Sequence, residues 1–247
     1  MKTTNIQAVD SKWASLYRIG GVAALVAGIV FRRNIAAEII LFAGQTPPNT
    51  VADWCTLLQN NSLLGVSLLN IFDVVNYALV GIMFLGLYVT LKQTNRDFMA
   101  LAATLGLVGT AVYLASNTAF SMLSLSNQYA TAATETEKTT FLAAGQTLLA
   151  MGQSTGVYTS LLLVAVAGFI TSVVMLKSKV FGKVTAYVGI LAGALDLIYC
   201  VTTFAFMPEL DALFLASAGL CLMIWHILAG RKLYQLGQIN QNRRCNS

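Results

Sequence analysis

The chain has 247 residues, of which 57% are hydrophobic and only 10% are charged. A soluble globular domain needs more polar surface than this composition supplies, so lipid is predicted to be the main solvent. The net charge of +5 is then attributed to orientation in a membrane and contact with anionic headgroups, rather than to nucleic-acid binding.

The first apolar run ends at Arg32 and Arg33 without a small-residue cleavage site before them, which favours a retained span over a cleaved signal peptide. Five further runs have the length of about 20 residues that a helix needs to cross the hydrocarbon. Backbone polar groups in lipid have no water to bond, so each run is predicted to be a helix. The predicted spans are 13–31, 63–91, 98–125, 155–176, 184–207 and 213–230.

This pattern predicts an all-α fold class: a polytopic membrane bundle of six transmembrane helices that forms one integral membrane domain over residues 1–247. Six spans place both termini on the same side. Most basic residues fall on that side, which the positive-inside rule assigns to the cytoplasm of a multi-pass protein of the cell membrane. Residues 1–12 and 231–247 are predicted to be cytoplasmic tails, the second of them basic. The basic residues assigned to this side are Lys2, Lys12, Arg18, Lys92, Arg96, Lys177, Lys179, Lys183, Arg231, Lys232, Arg243 and Arg244.

Two longer segments on the outer side are predicted to contain short amphipathic helices. Segment 34–61 breaks at Pro47 and Pro48 and then shows apolar residues at helical spacing, which favours a helix lying on the membrane surface. Segment 126–154 carries Glu135 and Glu137, where a helix N-terminus favours acidic residues. It is either a lid over the outer mouth of the bundle or a helix that only packs on it.

Several parts of the chain resemble a prokaryotic family of six-span integral membrane proteins known only as a domain of unknown function. They are Ala52 and Asp53, residues 63–65, 70–73 and 87–96, and the block 141–183. The resemblance implies the six-span fold. It implies no substrate, cofactor or catalytic residue.

Asp73 and Asp196 are the acidic residues placed deep inside predicted spans. Each lies about eleven residues from the outer end of its span, which predicts a common depth of roughly 16 Å below the outer boundary at about 1.5 Å per residue. An ionised aspartate at a helix centre costs about 2.5 to 3.5 kcal/mol on insertion scales. Each carboxyl therefore needs a partner, water or a bound proton, and such residues usually mark a functional site.

Polar residues share faces with the two aspartates or line the outer halves of neighbouring spans, which predicts an outward-opening polar pocket with the aspartates at its floor. The alternative for the amide and hydroxyl side chains is hydrogen bonding that joins membrane helices. The candidate ligand-binding residues are Asp73, Asp196, Asn70, Asn76, Tyr77, Asn117, Tyr158 and Tyr199.

Neither a metal site nor a cofactor is predicted. The four cysteines show no CxxC spacing, and His226 is the single histidine, for which an interhelical hydrogen bond is expected. The expected partners are membrane lipids and a small amphipathic ligand, and a homo-oligomer is left open.

The sequence is compatible with three functions. The first is binding, extending to transport, of a small apolar or amphipathic, lipid-like molecule. The second is an intramembrane acid/base enzyme, such as a lipid or isoprenoid isomerase or cyclase, in which one aspartate is the acid and the other the base. The third is a structural or accessory membrane subunit.

Overall fold

The structure, a computed structural model, describes residues 13–41, 48–152, 155–204 and 208–245, and the predicted tail 1–12 lies outside them. Within these ranges the chain forms helices and no strand, which confirms the all-α fold class. The helices are α1 (Ala14–Leu41), α2 (Val51–Asn60), α3 (Ser62–Leu68), α4 (Ile71–Leu91), α5 (Arg96–Ser116), α6 (Ala119–Thr131), α7 (Glu135–Met151), α8 (Thr155–Lys177), α9 (Lys183–Phe204) and α10 (Pro208–Cys245).

Membrane-spanning helices form the body of the protein. Among the described residues, five stretches are long and apolar enough to cross a membrane, and α1 adds the shorter apolar segment Ala14–Val30. The predicted multi-pass helical bundle is therefore confirmed. Short turns at 92–95 and 178–182 join α4 to α5 and α8 to α9 at one end of the bundle, here called the basic end.

Glycines bring the helices of the bundle into close contact. A Cβ atom added at Gly20 of α1 would lie 3.0 Å from the Cα of Gly86 on α4, and one added at Gly21 would lie 2.5 Å from the backbone nitrogen of Tyr234 on α10. Small residues at such crossings let helix backbones approach, which is how membrane helices gain packing contacts. Helix α1 is thus held between α4 and α10.

The basic half of the bundle contains a tightly packed apolar core. Met83 and Leu87 of α4, Met175 of α8, and Trp225 and Leu233 of α10 are buried there together. Buried side chains from six helices (α1, α4, α5, α8, α9 and α10) pack together in this region, so it forms the tightly packed base of the bundle.

Two predicted spans are broken rather than continuous. Span 63–91 is divided at Asn70, whose φ of 59° lies in the left-handed region, between α3 and α4. Span 98–125 is divided at Asn117, an extended residue between α5 and α6. Asparagine tolerates left-handed backbone better than most residues, and its amide can replace helix hydrogen bonds. Hydropathy alone does not reveal such breaks.

The four short helices α2, α3, α6 and α7 pack on one another at the end of the bundle opposite the basic end, and we call this layer the cap. Trp54, Leu58 and Met122 are buried in one of its apolar clusters, and Val51 and Cys55 in another. The expected helices in the two outer segments are present as α2 and α7. Helix α2 buries its apolar face against α6 within the cap, and its position on the membrane surface stays a prediction.

The last helix extends beyond its predicted span. Residues 231–247 were expected to form a tail, and α10 continues through them as far as Cys245 and packs on α1. Gly237 leaves room for the Arg18 side chain, whose guanidinium donates a hydrogen bond to Gln241. Arg18 therefore reaches toward the basic end, as snorkelling predicts.

Candidate functional site

Asp73 lies in the first turn of α4, directly after the break at Asn70. Its carboxylate Oδ2 accepts a hydrogen bond from the Tyr113 hydroxyl at 3.4 Å, and the side chain is partly buried. Because α4 alone has the 21 residues needed to span a membrane, Asp73 lies near the cap end of a span and not at its middle. Both carboxyls lie within electrostatic range of Tyr77, and the common depth of the two aspartates in the membrane stays a prediction.

Tyr77 and Tyr113 form a stacked pair between α4 and α5. Their ring centroids are 3.8 Å apart and their planes differ by 5°. One turn further along α4, a Cβ added at Gly81 would lie 3.2 Å from the methyl carbon of Thr110, so the two helices approach closely at this level. This close approach holds the rings face to face beside Asp73.

Asp196, on α9, is only 9% exposed. Among the described residues it forms neither a hydrogen bond nor an ion pair. It lies within electrostatic range of Tyr77 and of Cys200, one turn further along α9. Tyr77 also interacts with Asp73 and with the hydroxyl of Ser160 on α8. One tyrosine therefore lies near both carboxyl groups, and four helices contribute to its surroundings.

Asn117 links the two helix breaks. Its Nδ2 donates to the carbonyl oxygens of Leu69 at 3.2 Å and of Asn70 at 3.3 Å, and its Oδ1 accepts from the backbone N–H of Ala119 at 3.1 Å. Asn70 contributes its backbone, while its side chain is exposed and makes no capping hydrogen bond. The Asn117 amide thus satisfies backbone groups that the interrupted helices leave open.

The structure brings some of the predicted site residues together and leaves others aside. Asp73, Tyr77 and Asp196 form the centre of the candidate site, and Asn117 lies at its edge. Asn76 is buried one residue before Tyr77, with an Oδ1 that has no partner among the described residues. Tyr158 and Tyr199 are partly buried, and each has an interaction of its own.

Two residues of this site were not among the candidates. Tyr113 lies four residues before Asn117 on α5, and this helical spacing could have identified it. Ser160 carries no comparable signal, because a single hydroxyl in an apolar helix is common packing. We call Asp73, Tyr77, Tyr113, Ser160 and Asp196 the aspartate–tyrosine cluster.

The chemistry that the aspartate–tyrosine cluster offers is that of oxygen donors and acceptors. Asp73 has a hydroxyl donor, whereas Asp196 has none among the described side chains. Within the described residues, no group of three or more His, Cys, Asp or Glu side chains lies close enough to hold a metal ion. The two carboxyls thus occupy different environments near one aromatic ring.

Two further features lie apart from this cluster. A groove of about 460 Å³ opens between α1 and α4, and it is lined by Ser15, Arg18, Ile19, Val22, Ala23, Leu79 and Ile82, none of them a predicted site residue. His226 shares a hydrogen bond of 2.7 Å between its Nδ1 and the carbonyl oxygen of Leu222 on its own helix. Its Nε2 is buried without a partner among the described residues, so the expected interhelical bond is not formed within the described part of the chain.

A family model described as a domain of unknown function (DUF4386) matches residues 14–230. No curated protein and no solved structure matches the chain. The match covers every described membrane helix apart from the last part of α10.

Proposed function

Because the chain belongs to the DUF4386 family, whose description assigns no function, we propose a function from the geometry of its own residues: it binds, and as a transporter moves, a small amphipathic, lipid-like molecule. The headgroup would bind at the aspartate–tyrosine cluster. The observation that carries this proposal is that Asp196, buried and without a described hydrogen-bond partner, lies near Tyr77, which also faces Asp73.

The position of the cluster favours a ligand with one polar and one apolar part. Ligand sites in helical membrane proteins lie between helices, with a few convergent polar groups in an otherwise apolar lining. On the lipid-facing side of α9, Ile198 and Val201 are exposed, so an apolar chain can extend from the carboxyls toward the membrane. The polar groups then account for the headgroup and the apolar residues for the tail.

The helix breaks supply a route to the cluster. Discontinuous helices occur at the substrate sites of many transporters, because irregular backbone at membrane depth is tolerated where it lines a cavity. Here the breaks at Asn70 and Asn117 lie beside Asp73 and beneath the cap. A movement of α3 and α6 relative to α4 and α5 would open the site on that side.

An intramembrane acid/base enzyme is the second candidate, and one observation favours it. Asp73 accepts a hydrogen bond from Tyr113, whereas Asp196 has no described donor, so the two carboxyls lie in contrasting environments. Two carboxyl groups in contrasting environments suit one acid and one base. An enzyme would convert the bound molecule into a product, whereas a transporter would move it across the membrane unchanged.

Co-purification tests the proposed binding directly. Wild-type protein is purified in a mild detergent, and the small molecules that it retains are measured by native mass spectrometry beside the variants Asp196→Leu, Tyr77→Leu and Asp97→Asn. Asp97 is the matched control, since it is exposed in the first turn of α5 at the basic end. We expect wild type and Asp97→Asn to retain a molecule that both other variants lose.

Equal retention by all folded variants would contradict the proposal, as would the absence of any retained molecule from wild type. Reconstituted vesicles then separate the two candidates. Uptake of the unchanged molecule indicates transport, whereas appearance of an isomer or cyclised product indicates catalysis.

We further propose that the basic end faces the cytoplasm. Lys92, Lys177 and Lys183 lie at the described turns of this end, which is the asymmetry that orients multi-pass proteins. A fluorescent protein fused to the C-terminus should fluoresce, and a periplasmic phosphatase fused there should be inactive. The reverse pattern would contradict this orientation.

A further inference from the structure

Resting on the proposed function, we propose that the ligand is an amphipathic cation, an ammonium group on an apolar chain, held between Asp73 and Asp196 at the Tyr77 ring. The proposal names the chemical class of the headgroup. It follows from the charge of the site, from its aromatic ring and from the small number of acidic ligands that it offers.

The charge of Asp196 has no counterpart among the described residues. Two carboxyl groups lie near Tyr77, and Asp196 has no ion pair or hydrogen bond among the described residues. The ion pair found in the described part of the chain, Lys138 with Glu135, lies in the cap. Along α9, the nearest cation is Lys183 at the basic end, about 20 Å from Asp196 at about 1.5 Å per residue.

A cationic headgroup balances this charge better than a neutral one. A hydroxyl or amide can donate a hydrogen bond to a carboxylate, but it leaves the negative charge in a medium of low dielectric constant. An ammonium group supplies both the donors and the opposite charge. Because attraction between charges is strong in apolar surroundings, a cation gains more from this site than any neutral headgroup of the same size.

The aromatic ring at the site also favours an ammonium ion. Tyr77 stacks on Tyr113 and lies within electrostatic range of both carboxyls, so the site presents an aromatic ring beside its acidic groups. A cation within about 6 Å of a tyrosine ring is attracted by its quadrupole. An ammonium group bound beside this ring would therefore interact electrostatically with both carboxyls.

An inorganic cation fits the site less well. Hard ions such as Ca²⁺ take six to eight oxygen ligands, with carboxylates prominent among them. Within the described residues, no three acidic, histidine or cysteine side chains gather at one point. Two carboxyls beside an aromatic ring and an apolar helix surface match a monovalent organic cation instead.

Decylammonium and decanol test the inference, because these two probes share an alkyl chain and differ in headgroup charge. Their dissociation constants are measured in detergent by displacement of radiolabelled decylammonium and by the shift in the unfolding temperature. We expect decylammonium to bind wild type and Asp97→Asn at least tenfold more tightly than decanol does. Asp196→Asn, which keeps the size of the side chain and removes its charge, should weaken decylammonium binding at least tenfold and leave decanol binding unchanged.

Two results would overturn the inference: equal binding of both probes to wild type, or unchanged decylammonium binding in folded Asp196→Asn. Neither result bears on the molecule retained during purification, so the proposed function can stand while the cationic class fails. If Asp196→Asn does not fold, the same comparison is made with Asp73→Asn, because Asp73 also lies within electrostatic range of Tyr77. Asp196→Glu should restore the preference for decylammonium.

Discussion

The Asn117 side chain donates to the backbone carbonyl of Leu69 at 3.2 Å, and this bond joins the break in the second predicted span to the break in the third. The same Nδ2 also reaches the carbonyl oxygen of Asn70. Two interrupted helices are therefore tied together at one level, next to Asp73. The relationship makes the breaks mutually dependent, because the amide of one satisfies the open carbonyls of the other.

Replacement of Asn117 by alanine should destabilise the protein. The substitution leaves the carbonyl oxygens of Leu69 and Asn70 without this donor, and loss of partly buried hydrogen bonds costs about 1 to 3 kcal/mol. The unfolding temperature in detergent measures the effect. Asn60→Ala is the matched control, because Asn60 is exposed at the end of α2, and an equal loss in both variants would refute the assigned role of Asn117.

At Asn70, backbone conformation should matter more than the side chain. With φ at 59°, Asn70→Gly removes the cost of a left-handed residue and should leave stability unchanged or raise it by up to about 1 kcal/mol. Asn70→Val should lower stability by about 1 to 2 kcal/mol, because a branched side chain resists this conformation. Thermal unfolding of both variants provides the measurement.

Ligand retention extends the test of Asn70. If Asn70 contributes only its backbone, Asn70→Gly keeps the retained molecule and the decylammonium affinity of wild type. A loss of binding in a fully stable Asn70→Gly variant would show instead that the amide contacts the ligand, as the sequence alone suggested.

The membrane helices could be predicted from the sequence because the number of consecutive apolar residues is a local property of the chain. The run from Val184 onward, for example, is apolar enough to specify α9 without reference to any other part of the chain. The length of the apolar run did not predict the break at Asn70. That break depends on a hydrogen bond from Asn117, a residue 48 positions from Leu69, so no window around Asn70 contains the cause.

The candidate site was predictable only in part for the same reason. The helix spacing of Asp73 and Tyr77 is local, and it placed them on one face. The proximity of Tyr77 to Asp196 depends on how α4, α8 and α9 pack. Ser160 enters the site through this packing alone, and the break at Asn70 places Asp73 in the first turn of α4 rather than in the middle of a continuous helix.

A methyl group at Gly21 should separate α1 from α10. The added Cβ would lie 2.5 Å from the backbone nitrogen of Tyr234 and 3.0 Å from the carbonyl oxygen of Gly230, and backbone atoms cannot turn aside as a flexible side chain can. We expect Gly21→Ala to lower stability by about 1 to 3 kcal/mol through overpacking, measured by thermal unfolding. Gly168→Ala is the control, because a Cβ there meets nothing within 4 Å. Similar losses of stability in both variants would show that helix propensity or lipid contact, and not the contact between α1 and α10, is responsible.

The Cys55 thiol should make the stability of the cap depend on alkaline pH. Burial in the cap raises the pKa of Cys55 above its ordinary value of 9.0. A raised pKa means that the folded cap favours the neutral thiol, so this part of its stability is complete below pH 9.0 and is lost as the pH rises through the higher folded value. Between pH 8 and pH 10 the unfolding temperature of wild type should fall further than that of Cys55→Ala, and equal falls would refute the prediction.

Enlargement of Gly145 should open the cap and expose Cys55. A Cβ at Gly145 of α7 would lie 2.3 Å from Cγ1 of Val51 on α2, so Gly145→Leu forces the two helices apart. In a background with Cys200, Cys221 and Cys245 replaced by serine, a water-soluble maleimide should label Cys55 at least tenfold faster in Gly145→Leu, because about 1.4 kcal/mol of lost protection corresponds to one factor of ten.

Ala144→Leu provides the matched control, since it introduces the same side chain at an exposed neighbouring position of α7. Its labelling rate should stay at the wild-type value, because the added leucine faces away from α2. The cap is a packed layer only if position 145 matters and position 144 does not. Equal acceleration in the two variants would mean that α7 does not cover Cys55, whereas acceleration confined to Gly145→Leu assigns the protection of the thiol to the contact between α2 and α7.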